Sequence, residues 1–413
     1  MRTAMKKIWI ITQYAAPPQY EVRIRNNAMA KYLSREGYDV TIFGASNIHN
    51  TDVNLISDGS LYIERHYDDL KYIHINSPHY KGNGLGRVFN LFVYPRNLYK
   101  TVRRLNEKPD VIINDLYATA LNTPFKIGKR VHAKVITEVR DLWPQSIIDY
   151  GYIKKNGILA RLLYYFEKRM YQKSDYIVYT MEGWPEYIKG RGWEKCIDLK
   201  RSKHIINGLD LDVFSEDQRT SIVDDTDLLN PSTFKVVYTG SIRRVNNLGK
   251  LLDVAKCVHT PNVRFLLWGD GDEVASIKER IIEEHIDNVI YKGKVAKKYI
   301  PFIVSHADLN FAHNENSPLF RYGISFNKVF EYLAAGKPIL CDFACDYNPV
   351  IQNGAGIAVS SGSVEDIADA IDRIANMPET QVRDMENHAL HAVEQYDYKM
   401  LTKKMIDVIE SFC

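Results

Sequence analysis

The stretch from Arg321 to Asp342 carries the residue types best suited to chemistry in this chain: Ser325, Asn327, Lys328 and Glu331, followed by Gly336 and Pro338. Ser325 is placed to cap a helix, Gly336 to end it, and Pro338 to lead into an apolar strand. The start of such a helix presents unpaired backbone N–H groups and the positive end of the dipole. Lys328 adds a full charge there, and Glu331 follows one turn on, on the same face. A phosphate joined to a polyol matches that arrangement. The competing account is an ordinary helix whose polar first turn meets only water.

Other segments set polar residues just past apolar runs. In residues 237–247 a strand runs into Gly240 and Ser241, read as a turn that lets backbone approach a phosphate, and then into Arg243 and Arg244. A solvated basic loop accounts for the same residues. Residues 265–273 end a strand at Gly269, a candidate donor contact, although turn geometry alone accounts for such residue types. In residues 135–146 the charged Glu138, Arg140 and Asp141 fall at the carboxyl end of a strand, beside the rigid Trp143-Pro144 pair. That places Asp141 near a reacting bond, unless an Arg140–Asp141 pair merely fixes the loop. After the first strand, residues 13–25 hold Pro17, Arg23 and Arg25 but no glycine. The two arginines either face a ligand or lie on the exposed face of a helix over 25–35. The missing Gly-x-Gly-x-x-Gly argues against a nicotinamide dehydrogenase.

These residues need a scaffold that gathers strand ends. Apolar, β-branched runs alternate with helical patterns, which predicts parallel sheets covered by helices. One series of strands is expected at 8–12, 39–43, 72–75, 111–114, 134–139, 176–179 and 204–206. A second follows at 235–238, 264–268, 289–291, 309–312, 338–342 and 356–359. Two series mean two doubly wound domains, 1–207 and 208–395, joined near Asn207-Gly208, with a terminal amphipathic helix over 396–413. Substrate then belongs in a cleft between them, at the carboxyl ends of the strands. Residues 87–108 and 152–173 mix aromatics with Lys and Arg at helical spacing. Leu98, Val102 and Leu105 fall on one stripe and Leu159, Leu162, Phe166 and Met170 on another, as for helices packed on a sheet or resting on a membrane leaflet.

At 413 residues, with 45% hydrophobic and 25% charged residues, the composition is that of a soluble two-domain protein rather than a disordered chain. No apolar run reaches the roughly 20 residues that cross a bilayer. Residues 6–12 are too short for a signal h-region and read as the first buried strand. Five cysteines in no metal-ligand spacing suit a reducing cytoplasm. The net charge of +3 hides an asymmetry, since residues 1–200 carry 31 Lys and Arg against 20 Asp and Glu, while residues 201–413 carry 23 against 31. The basic half points to an anionic membrane or a pyrophosphate-bearing acceptor. Nucleic acid is disfavoured because no basic-aromatic recognition module is present.

The run from Tyr322 to Pro338 resembles the nucleotide-sugar signature of family 4 glycosyltransferases, retaining enzymes of the two-domain α/β GT-B fold. The Arg140-Asp-Leu-Trp-Pro144 run resembles a branch that makes bacterial capsule and O-antigen polysaccharides. The resemblance implies that Glu331 holds ribose hydroxyls and that Gly323, Ile324 and Ser325 face the diphosphate and sugar. It also implies that Arg243 or Arg244 meets the diphosphate, and that the Pro17–Arg25 loop faces the acceptor. Many members carry a glutamate where this chain has Gly323, and a Lys-Gly pair where it has Asn246-Asn247. The Asp-x-Asp spellings at 210–212 and 270–272 resemble metal–diphosphate sites of the unrelated GT-A fold, but fall where a turn or linker is expected. The implied function is retaining transfer from a nucleotide-diphosphate sugar, UDP favoured, to a lipid-linked or growing surface glycan. No cofactor or metal is expected, and the location implied is cytoplasmic or peripheral on the inner membrane face. A GT-B nucleotide-sugar epimerase and a non-catalytic binding subunit are the alternatives. The resemblance further implies that the terminal helix crosses back onto the first domain.

Overall fold

The alternating pattern folds into two sheets, each within its own unit of the computed structural model. Residues 5–20, 24–49, 51–80, 84–115 and 122–412 are described. One unit comprises Met1–Ile206 with Tyr398–Cys413, the other Asn207–Asp397. The first holds β1 (Lys7–Ile11), β2 (Asp39–Ala45), β3 (Tyr62–Tyr67), β4 (Leu70–Ile75), β5 (Val111–Asp115), β6 (Lys134–Val139), β7 (Tyr176–Tyr179) and β8 (Ser202–His204). Their spatial order is β3-β4-β2-β1-β5-β6-β7-β8. The second holds β9 (Phe234–Ser241), β10 (Val263–Asp270), β11 (Val289–Gly293), β12 (Leu309–Ala312), β13 (Ile339–Cys341) and β14 (Gly356–Ala358), ordered β11-β10-β9-β12-β13-β14. All pairings are parallel except that of β3 with β4. Central strands covered on both faces read as continuous apolar runs, and Ile8, Trp9, Ile10 and Ile11 are all buried.

Strand β3 escapes the sequence reading. Glu64, Arg65 and His66 are exposed on this edge strand, and a tight turn through Asp68, at φ 48°, returns the chain to β4. An edge strand needs no apolar alternation, and its charges also deter pairing with another chain. The 210–212 segment, expected as a turn or linker, is instead a helix start: Asp210 caps a helix over Leu211–Thr220, accepting from the Val213 N–H at 3.3 Å.

The Tyr398–Glu410 helix packs against the Arg25–Arg35 helix of the first unit. Glu410 accepts from Lys6 Nζ and the Tyr38 hydroxyl, each at 2.6 Å, and Lys203 reaches Asp407 at 2.8 Å. No helix of the described residues is long and apolar enough to cross a membrane.

The two aromatic, basic segments form helices over Leu85–Val102 and Ile158–Lys173. In the first, Leu98 and Val102 enter the core as expected, while Leu85, Val88, Phe89 and Phe92 form an exposed stripe. In the second, Leu159 and Leu162 of the marked stripe do not pack on the sheet but are exposed with Ile158 and Tyr165. The buried face runs through Ala160, Tyr164, Glu167, Met170 and Tyr171 instead. Glu167 disguised it, because a carboxyl is not expected inside. Hydroxyls of Tyr171 and Tyr187 each donate to it at 2.8 Å, and burial raises its pKa to about 8.

Candidate active site

Parallel sheets bring ligands to the carboxyl ends of their strands. In the second unit that edge is formed by β9, β12 and β13 with the Asn327–Ala334 helix. Tyr332 fixes the helix to β9: its hydroxyl accepts from the Thr239 N–H at 3.0 Å and lies 3.2 Å from Thr239 Oγ1. One turn earlier, Lys328 donates to the His313 carbonyl at 3.0 Å, with its ammonium 4.7 Å from the Tyr238 ring centroid. A Cβ placed on Gly240 would lie 3.6 Å from Lys328 Nζ. The bare backbone at the end of β9 and the helix lysine therefore share one spot. Burial lowers Lys328 to about 8 against the opposing pull of Asp342.

Glu331 lies on the same helix and is paired with Lys297 through Oε1 at 3.0 Å. Asn327 is the first residue of the helix and is half-buried. Ser325 does not cap it. The preceding residue, Phe326, occupies the cap position, and the Ser325 hydroxyl accepts from the Asn207 N–H at 3.0 Å. The Asn207 amide in turn donates to the Ser325 carbonyl at 3.0 Å, so this serine clips the start of the unit to the approach of the helix. Gly336 ends the helix as expected, at φ 61°. Ile324 is buried, and Gly323 sits at φ 102°, ψ 173°. That backbone region is accessible almost only to glycine, so a glutamate at 323 would be strained here.

Gly240 and Ser241 are not a turn. They are the last residues of β9, and the turn comes at Arg244–Asn246. Gly269 pairs with Gly240, and a Cβ on it would meet the Gly240 carbonyl oxygen at 1.9 Å. Its role is close approach of two strands, and its own carbonyl accepts from the Tyr291 hydroxyl at 3.0 Å. Arg243 and Arg244 are exposed on the following loop. Asn246 and Asn247 anchor that loop: Ser241 Oγ donates to Asn246 Oδ1 at 2.8 Å, and Asn247 donates to Glu315 at 2.7 Å.

The sequence reading missed His313 and Asp342, both buried. His313 Nε2 lies 3.0 Å from the Asn247 carbonyl and Nδ1 bonds Asp342, while Lys250 stands 3.7 Å from the same carboxylate. The cluster ties the arginine loop to the ends of β12 and β13. Each residue directly follows its strand, so the rule that strand ends carry function was the available signal.

In the first unit the structure joins Glu138, Arg140 and Arg25. Glu138, at the end of β6, accepts from Arg25 Nε and Nη2 at 3.1 and 2.8 Å and from Arg140 Nε and Nη2 at 3.2 and 2.8 Å. Burial pulls its pKa up, but the two guanidiniums outweigh this and bring it to about 2. Arg25 was expected on a loop or an exposed helix face. Instead it opens the Arg25–Arg35 helix, 4% exposed, and also donates to the Ile205 and Ile206 carbonyls at 3.0 and 2.8 Å. Glu138 and Arg25 thus form an internal clamp rather than an open site. Arg140 belongs to it, bonding Asn26 and standing 3.9 Å from Asp115. Asp141 is exposed just beyond β6, and its charge adds to burial in raising the Tyr150 phenol. Pro17 is buried in the loop after β1, its carbonyl accepting from the Tyr20 N–H at 2.9 Å. Arg23 lies outside the described residues.

The two doubly wound units are those of the GT-B fold, and the match of the second unit to a glycosyltransferase family makes the chain a glycosyltransferase. Residues 224–391 match the family described as Glycosyl transferases group 1. A curated relative, the probable glycosyltransferase WbjE of Pseudomonas aeruginosa, is 23% identical over 295 residues, covering 70% of this chain and 68% of that protein. Among solved structures, sucrose-phosphate synthase of Thermosynechococcus elongatus superposes with TM-score 0.72 at 17% identity, covering 98% of this chain and 99% of its own. Alr3699/HepE of Anabaena, in complex with UDP-glucose, superposes with TM-score 0.63 at 15% identity, with coverage of 98% and 99%.

Proposed function

We propose that this protein moves a sugar, with retention, from a nucleotide-diphosphate sugar to a lipid-linked or growing bacterial surface glycan. The observation that carries the donor half is Lys328 beside Gly240, where backbone, ammonium and helix start converge. The complex of HepE with UDP-glucose supports a nucleotide-sugar donor and favours UDP. Glu331 takes the ribose hydroxyls, one turn from Lys328 on the same helix. The barrier lies in separating an oxocarbenium-like sugar from the diphosphate. Arg243, Arg244, Lys328 and the helix dipole stabilise the leaving charge, and no metal is required. The acceptor attacks the face that the diphosphate leaves, and its proton passes to the departing phosphate or to Asp141. Asp141 orients or deprotonates the acceptor hydroxyl.

Lys328→Ala and Glu331→Ala are each expected to weaken UDP binding by about 1–3 kcal/mol, from a lost phosphate charge and a lost ribose acceptor. Calorimetry on the folded variants checks this, and unchanged affinity in both would remove the site. Thermal shift across nucleotide sugars identifies the donor, since ligand at about 100 times its Kd adds about 2.7 kcal/mol. UDP release that depends on acceptor distinguishes a transferase from an epimerase.

The acceptor half draws on the exposed stripes of the Leu85–Val102 and Ile158–Lys173 helices, flanked by Arg96, Lys154, Lys155 and Arg161. Apolar residues bordered by basic ones suit an anionic inner leaflet. Flotation with phosphatidylglycerol vesicles is expected to recover the protein at low salt. High salt should release it, each lipid-facing basic residue contributing about 1 kcal/mol, and zwitterionic vesicles should recover little. Failure on both vesicle types at low salt would leave a soluble or partner-delivered acceptor.

A further inference from the structure

His313 directly follows β12 and Asp342 directly follows β13, with side chains 1% and 0% exposed. Both ring nitrogens of His313 meet acceptors. Nε2 lies 3.0 Å from the Asn247 carbonyl oxygen, which can only accept, so Nε2 carries a hydrogen. Nδ1 bonds Asp342 Oδ2. The same carboxylate accepts from the Asn314 N–H through Oδ1 at 3.3 Å, and the Lys250 ammonium stands 3.7 Å from Oδ2. A backbone donor and a nearby ammonium favour the ionised carboxylate, so the hydrogen between Nδ1 and Asp342 belongs to the ring. A histidine with hydrogens on both nitrogens is an imidazolium.

The carbonyl that takes the Nε2 hydrogen belongs to the loop that carries Arg243 and Arg244. Asn247 closes the turn of that loop in the left-handed region, at φ 46° and ψ 51°, where a side-chain-bearing residue must be held. Its amide donates to Glu315 at 2.7 Å, and Asn246 donates to Asn314 Oδ1 at 3.5 Å, so with His313 the loop is fastened at three points to the segment after β12. A neutral imidazole could keep only one of its two partners. With its hydrogen on Nδ1, the Nε2 lone pair would face the carbonyl; with it on Nε2, the Nδ1 lone pair would face the carboxylate, and either meeting is costly where water is excluded. Charged groups face the pair from three elements: Lys250 of the Gly249–Cys257 helix, Lys328 of the Asn327–Ala334 helix, which donates to the His313 carbonyl at 3.0 Å, and Glu315 beside Asn247. Tyr238 and Cys341 are titratable neighbours on β9 and β13. Burial raises the phenol and lifts the thiol to about 12, so both stay neutral.

We propose that His313 is an imidazolium held between Asp342 and Asn247, and that this buried cation is a positioning residue that sets the Arg243–Arg244 loop for the donor diphosphate. This rests on the donor reading above and adds what holds its arginines in place. His313 touches no reacting atom and acts through the loop backbone. Arg243 and Arg244 are exposed, and long exposed side chains lose freedom when they close on a ligand. Fixing the loop at Asn247 beforehand lowers that cost.

The test uses the full chain, labelled with nitrogen-15 histidine at pH 7.5, and UDP as the probe. Long-range proton–nitrogen spectra are expected to show His313 with both ring nitrogens protonated in the wild type, and with one nitrogen bare in Asp342→Asn, where the neutral amide no longer stabilises a cation. UDP affinity should fall about tenfold in Asp342→Asn, and equally in His313→Phe, which keeps a ring but offers no N–H. When Arg243 and Arg244 are both replaced by alanine, Asp342→Asn should change UDP affinity by less than about twofold, because its effect runs through them. The wild-type spectrum stands whether or not the variants fold. The proposal falls if none of the 12 histidines is doubly protonated in the wild type, if both variants bind UDP like wild type, or if Asp342→Asn weakens UDP equally with and without the arginines. Failure of the wild type to bind UDP would overturn the donor reading and the positioning role with it, and is told apart because the ring spectrum does not depend on UDP.

Discussion

Glu138→Ala is expected to destabilise the first unit by about 3–5 kcal/mol, the scale for removing one partner of a buried ion pair. Arg25 and Glu138 are each 4% exposed in their side chains. Without the carboxylate, Arg25 keeps the Ile205 and Ile206 carbonyls but loses its counter-charge, and Arg140 loses its bidentate partner. Glu138→Gln retains an acceptor and should cost less. The pH dependence follows from the same clamp. An unfolded glutamate near 4.5 takes up a proton before the folded one, which titrates at about 2. The contribution is therefore present above about pH 4.5 and is lost as pH falls through about 2. Urea denaturation at pH 7 and at pH 3 checks both statements. A Glu138→Ala variant with wild-type stability at pH 7 and the same acid sensitivity would show that the clamp carries no weight.

Asp141→Asn is expected to lower turnover by about 10²-fold or more while leaving donor affinity nearly unchanged. The substitution keeps the size and hydrogen-bonding reach of the side chain and removes only the charge and the basicity. Because Asp141 is exposed, stability should hardly move. Steady-state rates with a competent acceptor, alongside UDP calorimetry, separate the two effects. Turnover within a few-fold of wild type would reduce Asp141 to a loop anchor. The contrast with Glu138 is informative: three residues apart, one carboxylate is buried between arginines and the other is exposed to solvent.

The sequence by itself determined the class of fold. Runs such as Ile8–Ile11 and Val236–Tyr238 are apolar without alternation, and only strands covered on both faces can bury them, so parallel sheets under helices follow. It also located the Asn327–Ala334 helix, because Gly336 and Pro338 stop a helix by local backbone chemistry alone. Tertiary structure decided what local chemistry leaves open. Whether Ser325 caps a helix or holds Asn207 depends on a partner 118 residues away. Whether Arg25 is a ligand contact or an internal cation depends on Glu138, 113 residues on. Periodicity marked the Leu159–Leu162 stripe on the Ile158–Lys173 helix, whereas the buried face is the one whose glutamate accepts from the hydroxyls of Tyr171 and Tyr187. Spacing along the chain specifies what a residue can do, whereas burial and distant partners specify which of those things it does. Those partners come together only when the strands are ordered in a sheet.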